Sequence, residues 1–152
     1  MKVFIIIVGI TVLLASITVI WVWGIPAMRE ANYQREEREE RNESSAVASI
    51  RTLNTAQITY NATYQRYADT LPKLGGTNCK QPTAAAACFI DTQLAKGTRN
   101  GYKFTVLGSA SAYQVFANPE GKGRYFCSFE DAIVRSSSVA ITVCNDTVSP
   151  LE

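Results

Sequence analysis

The hydrophobic pattern divides the chain into three parts with different periodicities. Residues 3–25 form an unbroken apolar run without a charged side chain. Residues 44–67 place apolar side chains at steps of three and four, which is the period of one helical face. Beyond residue 100, apolar and polar side chains alternate in short runs, as in strands with one buried face. The pattern therefore predicts an apolar helix, an amphipathic helix and a sheet, in that order.

The first apolar run is long enough to cross a bilayer as a helix. Roughly 23 residues at about 1.5 Å each span about 34 Å, and the hydrocarbon core of a membrane is about 30 Å thick. Trp21 and Trp23 are expected at the membrane interface, where indole rings favour the headgroup region. Pro26 is expected to kink the helix where it leaves the bilayer. We predict a transmembrane anchor over residues 1–27, with a cleaved signal peptide as the alternative.

The next segment, residues 28–43, is highly charged and contains no glycine or proline. Arg35 and Glu39 are opposite charges four positions apart, and so are Glu37 and Arg41. Pairs at this spacing stabilise an exposed helix. We predict a solvated helical stalk, and the alternative is a stripe that binds lipid or a partner protein.

The amphipathic segment that follows is predicted to continue this helix to about Tyr67, before Pro72 and two glycines end it. Its apolar stripe is expected to pack on the sheet, with a helix–sheet core made by Ile50, Leu53, Tyr60 and Tyr64. The polar side chains are expected on the other faces of the helix; they are Arg51, Asn54, Gln57, Asn61 and Gln65.

The pattern in the rest of the chain predicts a sheet. Strands are predicted at residues 102–107, 113–117, 124–129, 133–135 and 139–144, and the alanines at 84–87 as a short helical turn. Strands joined by such short turns form an antiparallel meander. Since one face of this sheet would cover the helical stripe, we predict an α+β globular domain over residues 44–152.

The composition argues against several classes of function. The 152 residues carry a net charge of +2 of mixed sign, which does not favour a nucleic-acid partner. The chain contains no histidine, so the commonest general base and the commonest metal ligand are both missing. No phosphate-binding loop or nucleophile motif is found. We therefore expect neither an enzyme nor a cofactor or metal site.

Four cysteines, Cys79, Cys88, Cys127 and Cys144, allow three disulfide pairings. We favour Cys79–Cys88, which closes a short loop, and Cys127–Cys144, which ties a central strand to the C-terminal segment. A zinc site is the alternative, but such sites usually pair cysteines about two to four residues apart. Disulfides form outside the cytoplasm, so we expect the domain there and the short N-terminal tail inside.

Several stretches of the chain resemble type IV pilins and type II secretion pseudopilins. The match is closest over residues 44–64 (SSAVASIRTLNTAQITYNATY) and continues at residues 67–76, 88–106 and 124–135. Residues 24–32 (GIPAMREAN) resemble the stretch in which a pilin helix emerges from the membrane with its proline. The resemblance implies a long helix packed on an antiparallel sheet, anchored by membrane lipid in the inner membrane. It also implies a periplasmic or extracellular domain that contacts other pilin-like subunits.

The N-terminus departs from that family. A pilin leader ends in a glycine, where a prepilin peptidase cleaves, and a glutamate follows within the apolar run. Here no glycine precedes Phe4, and residues 1–25 contain no acidic side chain. We therefore expect an uncleaved anchor. We predict a minor or accessory pilin-like structural subunit, and the alternative is a membrane-tethered periplasmic binding or sensing module that does not polymerise.

Overall fold

The chain folds as a long helix followed by a five-stranded sheet, in a computed structural model that describes residues 25–77 and 79–151. The helices are α1 (Ile25–Tyr64), α2 (Leu71–Leu74) and α3 (Thr92–Ala95). The strands are β1 (Thr98–Arg99), β2 (Tyr102–Gly108), β3 (Tyr113–Pro119), β4 (Tyr125–Phe129) and β5 (Arg135–Ser137). The α+β class predicted from the sequence is confirmed.

The chain divides into two compact units between Arg38 and Glu39, inside α1. In the first unit, the residues that the structure describes are helical and mostly exposed, Pro26 among them. Of the predicted anchor over residues 1–27, residues 1–24 lie outside the described residues, Trp21 and Trp23 among them. Within the described part of the chain, no helix has the length and apolar character needed to cross a membrane.

In the second unit, the strands pair in chain order, and every pair is antiparallel. The predicted runs at 102–107, 113–117 and 124–129 correspond to β2, β3 and β4. The run predicted at 133–135 overlaps only the first residue of β5, which covers Arg135–Ser137. The two-residue strand β1 was not predicted. The predicted antiparallel meander is therefore present, but its edge strands are β1 and β5 and not the runs at 102–107 and 139–144.

The inner face of the sheet packs against α1. Strands β2, β3 and β4 alternate, so that every second side chain points towards the helix. The core combines these side chains with those on one side of the helix, among them Ala46, Ile50, Leu53, Tyr60, Tyr102, Phe104, Val115 and Phe126. The sheet thus buries the apolar stripe of the helix.

The outer face of the sheet carries a second, smaller cluster. Phe116 and Cys127 point away from α1, and the disulfide from Cys127 brings Cys144 against them. Ile141 and Val148 pack on this cluster from the C-terminal segment. The Cys127–Cys144 bond therefore holds the C-terminal segment over the outer face.

The strand predicted at residues 139–144 is wrong for this reason. Since Cys144 is bonded to Cys127 in the middle of β4, the chain here crosses the face of the sheet instead of extending its edge. The outer edge of β5 is paired instead with residues further along the chain, where Arg135 lies opposite Pro150. The β-forming residues at 139–143 remain irregular.

Helix α1 ends three residues earlier than predicted. Gln65 has a φ of 56°, a left-handed conformation that ends helices, and its N–H still bonds to the carbonyl of Asn61. The chain then returns along the sheet, where Tyr67 N–H bonds to Ser109 O. A Cβ on Gly108 would lie 2.1 Å from Ala68 O, so only glycine permits this close approach.

The second disulfide joins Cys79 and Cys88, the other pair favoured from the sequence. It closes an exposed loop in which the alanine run forms a tight turn, bridged between Thr83 and Ala86, and not the predicted helical turn. Tyr60 Oη of α1 donates to Ala84 O at 2.6 Å and fixes this loop to the helix.

The two disulfides differ in exposure. Cys79 is exposed and Cys88 half-buried, whereas Cys127 and Cys144 are 0% and 3% exposed. Because a reductant must reach the sulfur, we expect Cys79–Cys88 to be reduced first. A dithiothreitol titration with alkylation and peptide mapping measures the order, with a urea-unfolded sample as the control. Earlier or simultaneous loss of Cys127–Cys144 in the folded protein would contradict this prediction.

Candidate interaction surfaces

The four predicted core residues lie between α1 and the sheet. Ile50 and Leu53 are completely buried, Tyr60 is 2% exposed, and Tyr64 is half-buried at the edge of the same core. The rings of Tyr60 and Tyr64 have centroids 4.7 Å apart, within the range of favourable aromatic contacts. These side chains therefore serve packing and present no stacking platform to a ligand.

The polar residues predicted on the other faces of α1 are not all exposed. Asn54 is 4% exposed, so its predicted placement is wrong. Its Nδ2 donates to Ser128 Oγ at 2.9 Å and to Ala132 O at 3.2 Å, while Tyr113 Oη donates to its Oδ1 at 3.3 Å. Asn54 therefore joins α1 to two strands and to the turn after β4.

Gln57 is also buried, with 0% exposure, contrary to the prediction. Its Nε2 donates to Ala68 O at 2.8 Å, and its Oε1 accepts from Ala68 N at 2.9 Å. This pair of bonds satisfies the backbone of the segment that returns from α1 to the sheet. Both amides lie four residues from members of the apolar stripe, Ile50 and Leu53, and this spacing is the sequence signal that marks them as buried.

The network around Asn54 leads to a stability prediction. Asn54→Ala leaves the Ser128 and Tyr113 hydroxyls without their partner in a buried site, so it should lower the free energy of unfolding by about 1–3 kcal/mol. Asn61→Ala, at a half-buried position of the same helix, should cost less than about 0.5 kcal/mol. Urea unfolding followed by circular dichroism measures both. Equal effects from the two substitutions would contradict the network.

The opposite face of α1 is exposed and nearly free of charge. Between residues 44 and 64 the only charged side chain is Arg51. The exposed positions are mostly small or β-branched: Ala48, Thr52, Thr55, Ile58, Thr59, Ala62 and Thr63. Each of the four threonine hydroxyls donates to the carbonyl four residues earlier. Since these hydroxyls are already bonded, covering this face with another protein costs little desolvation.

An open groove of about 760 Å³ lies between α1 and the C-terminal segment. Glu43 lines the groove and binds Arg124, accepting from its backbone N at 2.9 Å and from Nε at 3.0 Å. Arg51 also lines the groove, and its side chain has no ionic or hydrogen-bonding partner among the described residues. Ser136 and Ser149 supply hydroxyl groups on the other side. The groove is therefore polar, and its charged side chains are of both signs, with Glu40 as well as Arg51 in the lining.

A buried arginine holds the turn after β4 and the C-terminal segment together. Arg135 is 4% exposed, and its Nη2 lies 2.6 Å from Asp131 and 3.2 Å from Asp146. Its guanidinium lies 4.3 Å from the ring centre of Phe129. Burial tends to raise the pKa of Asp131, but the hydrogen bond and attraction from Arg135 outweigh it and hold that pKa below its usual range.

This pair makes stability dependent on pH. The pKa of Asp131 is lower in the folded than in the unfolded protein. Its ionised carboxylate therefore stabilises the fold above about pH 4, and this stabilisation is lost as the pH falls further. Asp131→Asn should lower the free energy of unfolding at pH 7 by about 1–3 kcal/mol. It should also reduce the amount by which the free energy of unfolding falls between pH 7 and pH 3. Asp146→Asn changes a carboxylate that is 89% exposed and should cost less than about 1 kcal/mol. Urea titrations at pH 7 and pH 3 test this, and an unchanged acid dependence in Asp131→Asn would refute it.

Other acidic side chains also have structural partners. Asp91 caps α3 by accepting from the backbone of Gln93 and Leu94, and these bonds, together with Arg99, hold the pKa of its carboxyl below the usual value. Asp69 lies 2.8 Å from Lys73. Across residues 25–77 and 79–151, no three histidine, cysteine or acidic side chains are grouped so that they could hold a metal ion.

Comparisons with known proteins do not identify the chain. No protein-family model matches it, and no curated protein matches it either.

Proposed function

We propose that the protein is a pilin-like structural subunit, a minor or accessory component of a type IV pilus or type II secretion pseudopilus. The observation that carries this proposal is that the two faces of one long helix have different environments. Helix α1 runs without interruption over Ile25–Tyr64, and in its second half one face is buried by the sheet while the other is exposed and nearly uncharged. A helix of this kind supports contact with neighbouring subunits along its length.

The exposed face of α1 suits packing in both shape and chemistry. Its threonine and alanine side chains are short, so a second helix can approach closely. Residues 29–43 carry arginine and glutamate in mixed order, and complementary charges set the register between partners more than they raise affinity. We infer that the exposed face, rich in threonine and alanine, supplies contact area and that the charged segment selects the register.

The proposed location follows from the anchor and the disulfides. Residues 3–25 would be held by membrane lipid in the inner membrane, with the globular domain in the periplasm or outside the cell. The two disulfides fit an oxidising compartment. The proposed partners are other pilin-like subunits, and the proposed action involves neither nucleic acid nor catalysis.

A second candidate is a membrane-tethered binding or sensing module that does not polymerise. The groove beside α1 favours it, because it is a concave site whose lining carries charged side chains of both signs, Arg51 and Glu40 among them. In this alternative the exposed face of α1 has no partner subunit.

Substitution of the exposed helical face tests the proposal. Thr59→Arg places an unpaired charge on that face, which should lower recovery of the protein in sheared filaments by more than tenfold. Thr105→Arg, on the exposed outer face of β2, is the matched control and should leave recovery within about twofold. Thermal unfolding of both variants verifies that the fold is intact.

Two outcomes would contradict the structural role. Equal recovery of Thr59→Arg and wild type would show that this face makes no subunit contact. If the wild-type protein stays in the membrane fraction while filaments assemble without it, the tethered module is favoured.

A further inference from the structure

Three Asn-x-Ser/Thr triplets occur in the chain, and they begin at Asn42, Asn61 and Asn145. This triplet is the acceptor of N-linked glycosylation, in which a glycan is transferred to the asparagine amide and the hydroxyl two positions later is also required. A triplet this short is common by chance, so the sequence alone does not separate the three. The structure separates them by the placement of the amide relative to the hydroxyl.

Two of the triplets lie inside α1, where Asn42 and Asn61 are both half-buried. Residues two positions apart on a helix do not face each other, so the amide and the hydroxyl point to different sides. The hydroxyl of Thr63 already donates to Thr59 O at 2.9 Å. An enzyme that contacts both groups at once would therefore have to unwind α1.

The third triplet, Asn145-Asp146-Thr147, forms a turn in which all three residues are exposed. The backbone oxygen of Asn145 accepts from Val148 N–H at 3.1 Å and closes the turn. Its side-chain Oδ1 accepts from the N–H of Thr147 at 3.0 Å and from the hydroxyl of Thr147 at 2.6 Å. The amide and the hydroxyl of this triplet are therefore in direct contact on the surface.

The amide nitrogen of Asn145 is also available for reaction. Its Nδ2 makes no hydrogen bond to any residue in the described part of the chain. The turn itself is held in place, because Cys144 is bonded to Cys127 and Asp146 lies 3.2 Å from Arg135. An incoming enzyme thus meets a fixed backbone with a free amide nitrogen beside the required hydroxyl.

The position of the turn is compatible with the other surfaces of the fold. Cys144 packs on the outer face of the sheet with Phe116 and Cys127, on the side away from α1. A glycan is bulky and hydrophilic, so it needs a site that no protein contact covers. A glycan on Asn145 would leave the exposed face of α1 uncovered.

We propose that Asn145 is N-glycosylated outside the cytoplasm. The donor is a glycan carried on a polyprenyl pyrophosphate in the membrane, and the partner is a membrane-bound transferase. Asn145 Nδ2 attacks the anomeric carbon of the first sugar, the bond from that carbon to the pyrophosphate oxygen breaks, and polyprenyl pyrophosphate leaves. The amide gives up one proton to the transferase, and nothing is oxidised or reduced. The modification requires the proposed location of the domain but no filament.

Peptide mapping of the full chain, purified from the envelope of its own host, tests the proposal. Electron-transfer fragmentation should locate a glycan at Asn145 and none at Asn42 or Asn61. Asn145→Gln should abolish the glycan, and Thr147→Val should remove most of it because the hydroxyl is lost. Thr147→Ser keeps a hydroxyl and should retain most of the glycan. Asn61→Gln is the matched control and should change nothing, and thermal unfolding verifies that each variant is folded.

An unmodified Asn145 in the wild-type protein overturns the proposal. The disulfides, mapped in the same sample, then separate the causes: formed bonds leave the proposed location standing, whereas free thiols contradict that location as well. A glycan at Asn42 or Asn61 would also overturn the proposal, since the turn would then not be the feature that is recognised. So would a Thr147→Val variant that is glycosylated as fully as the wild type.

Discussion

The burial of one face of α1 by the inner face of the sheet is the interaction on which the rest of the second unit depends. Ile50 and Leu53 are completely buried in the apolar core that helix and sheet share. Two amides then fix the position of the helix: Asn54 bonds to the sheet, and Gln57 bonds to the returning backbone at Ala68. Apolar burial is non-directional, whereas these bonds have defined geometry, so we infer that they set the register of helix and sheet.

The same arrangement determines which surfaces remain for other proteins. Because the sheet covers one face of α1, the threonine-rich face is left exposed along the helix. On the other side of the sheet, the Cys127–Cys144 bond and Arg135 hold the C-terminal segment in place and leave Val139 and Val143 exposed. The fold thus presents two surfaces with little charge on opposite sides of the sheet.

The sequence predicted the regular parts of this fold well. Alternation identified β2, β3 and β4, and the stripe containing Ile50 and Leu53 identified the buried side of α1. Asn54 and Gln57 were misplaced because residue type suggested exposure, while their partners lie elsewhere in the chain and have no local signature. Residues 139–143 have strand propensity, but the Cys144 disulfide directs them across the sheet instead.

Native-state hydrogen exchange tests most directly whether helix and sheet form one cooperative structure. Amide exchange is followed along α1 and the strands at increasing, sub-denaturing concentrations of urea. If the sheet and the buried amides fix the helix, residues 46–60 of α1 and the central strands β2–β4 will exchange through one unfolding event with a common free energy. Exchange of residues 46–60 at a distinctly lower free energy than the strands would contradict the account, since the helix would then open without the sheet.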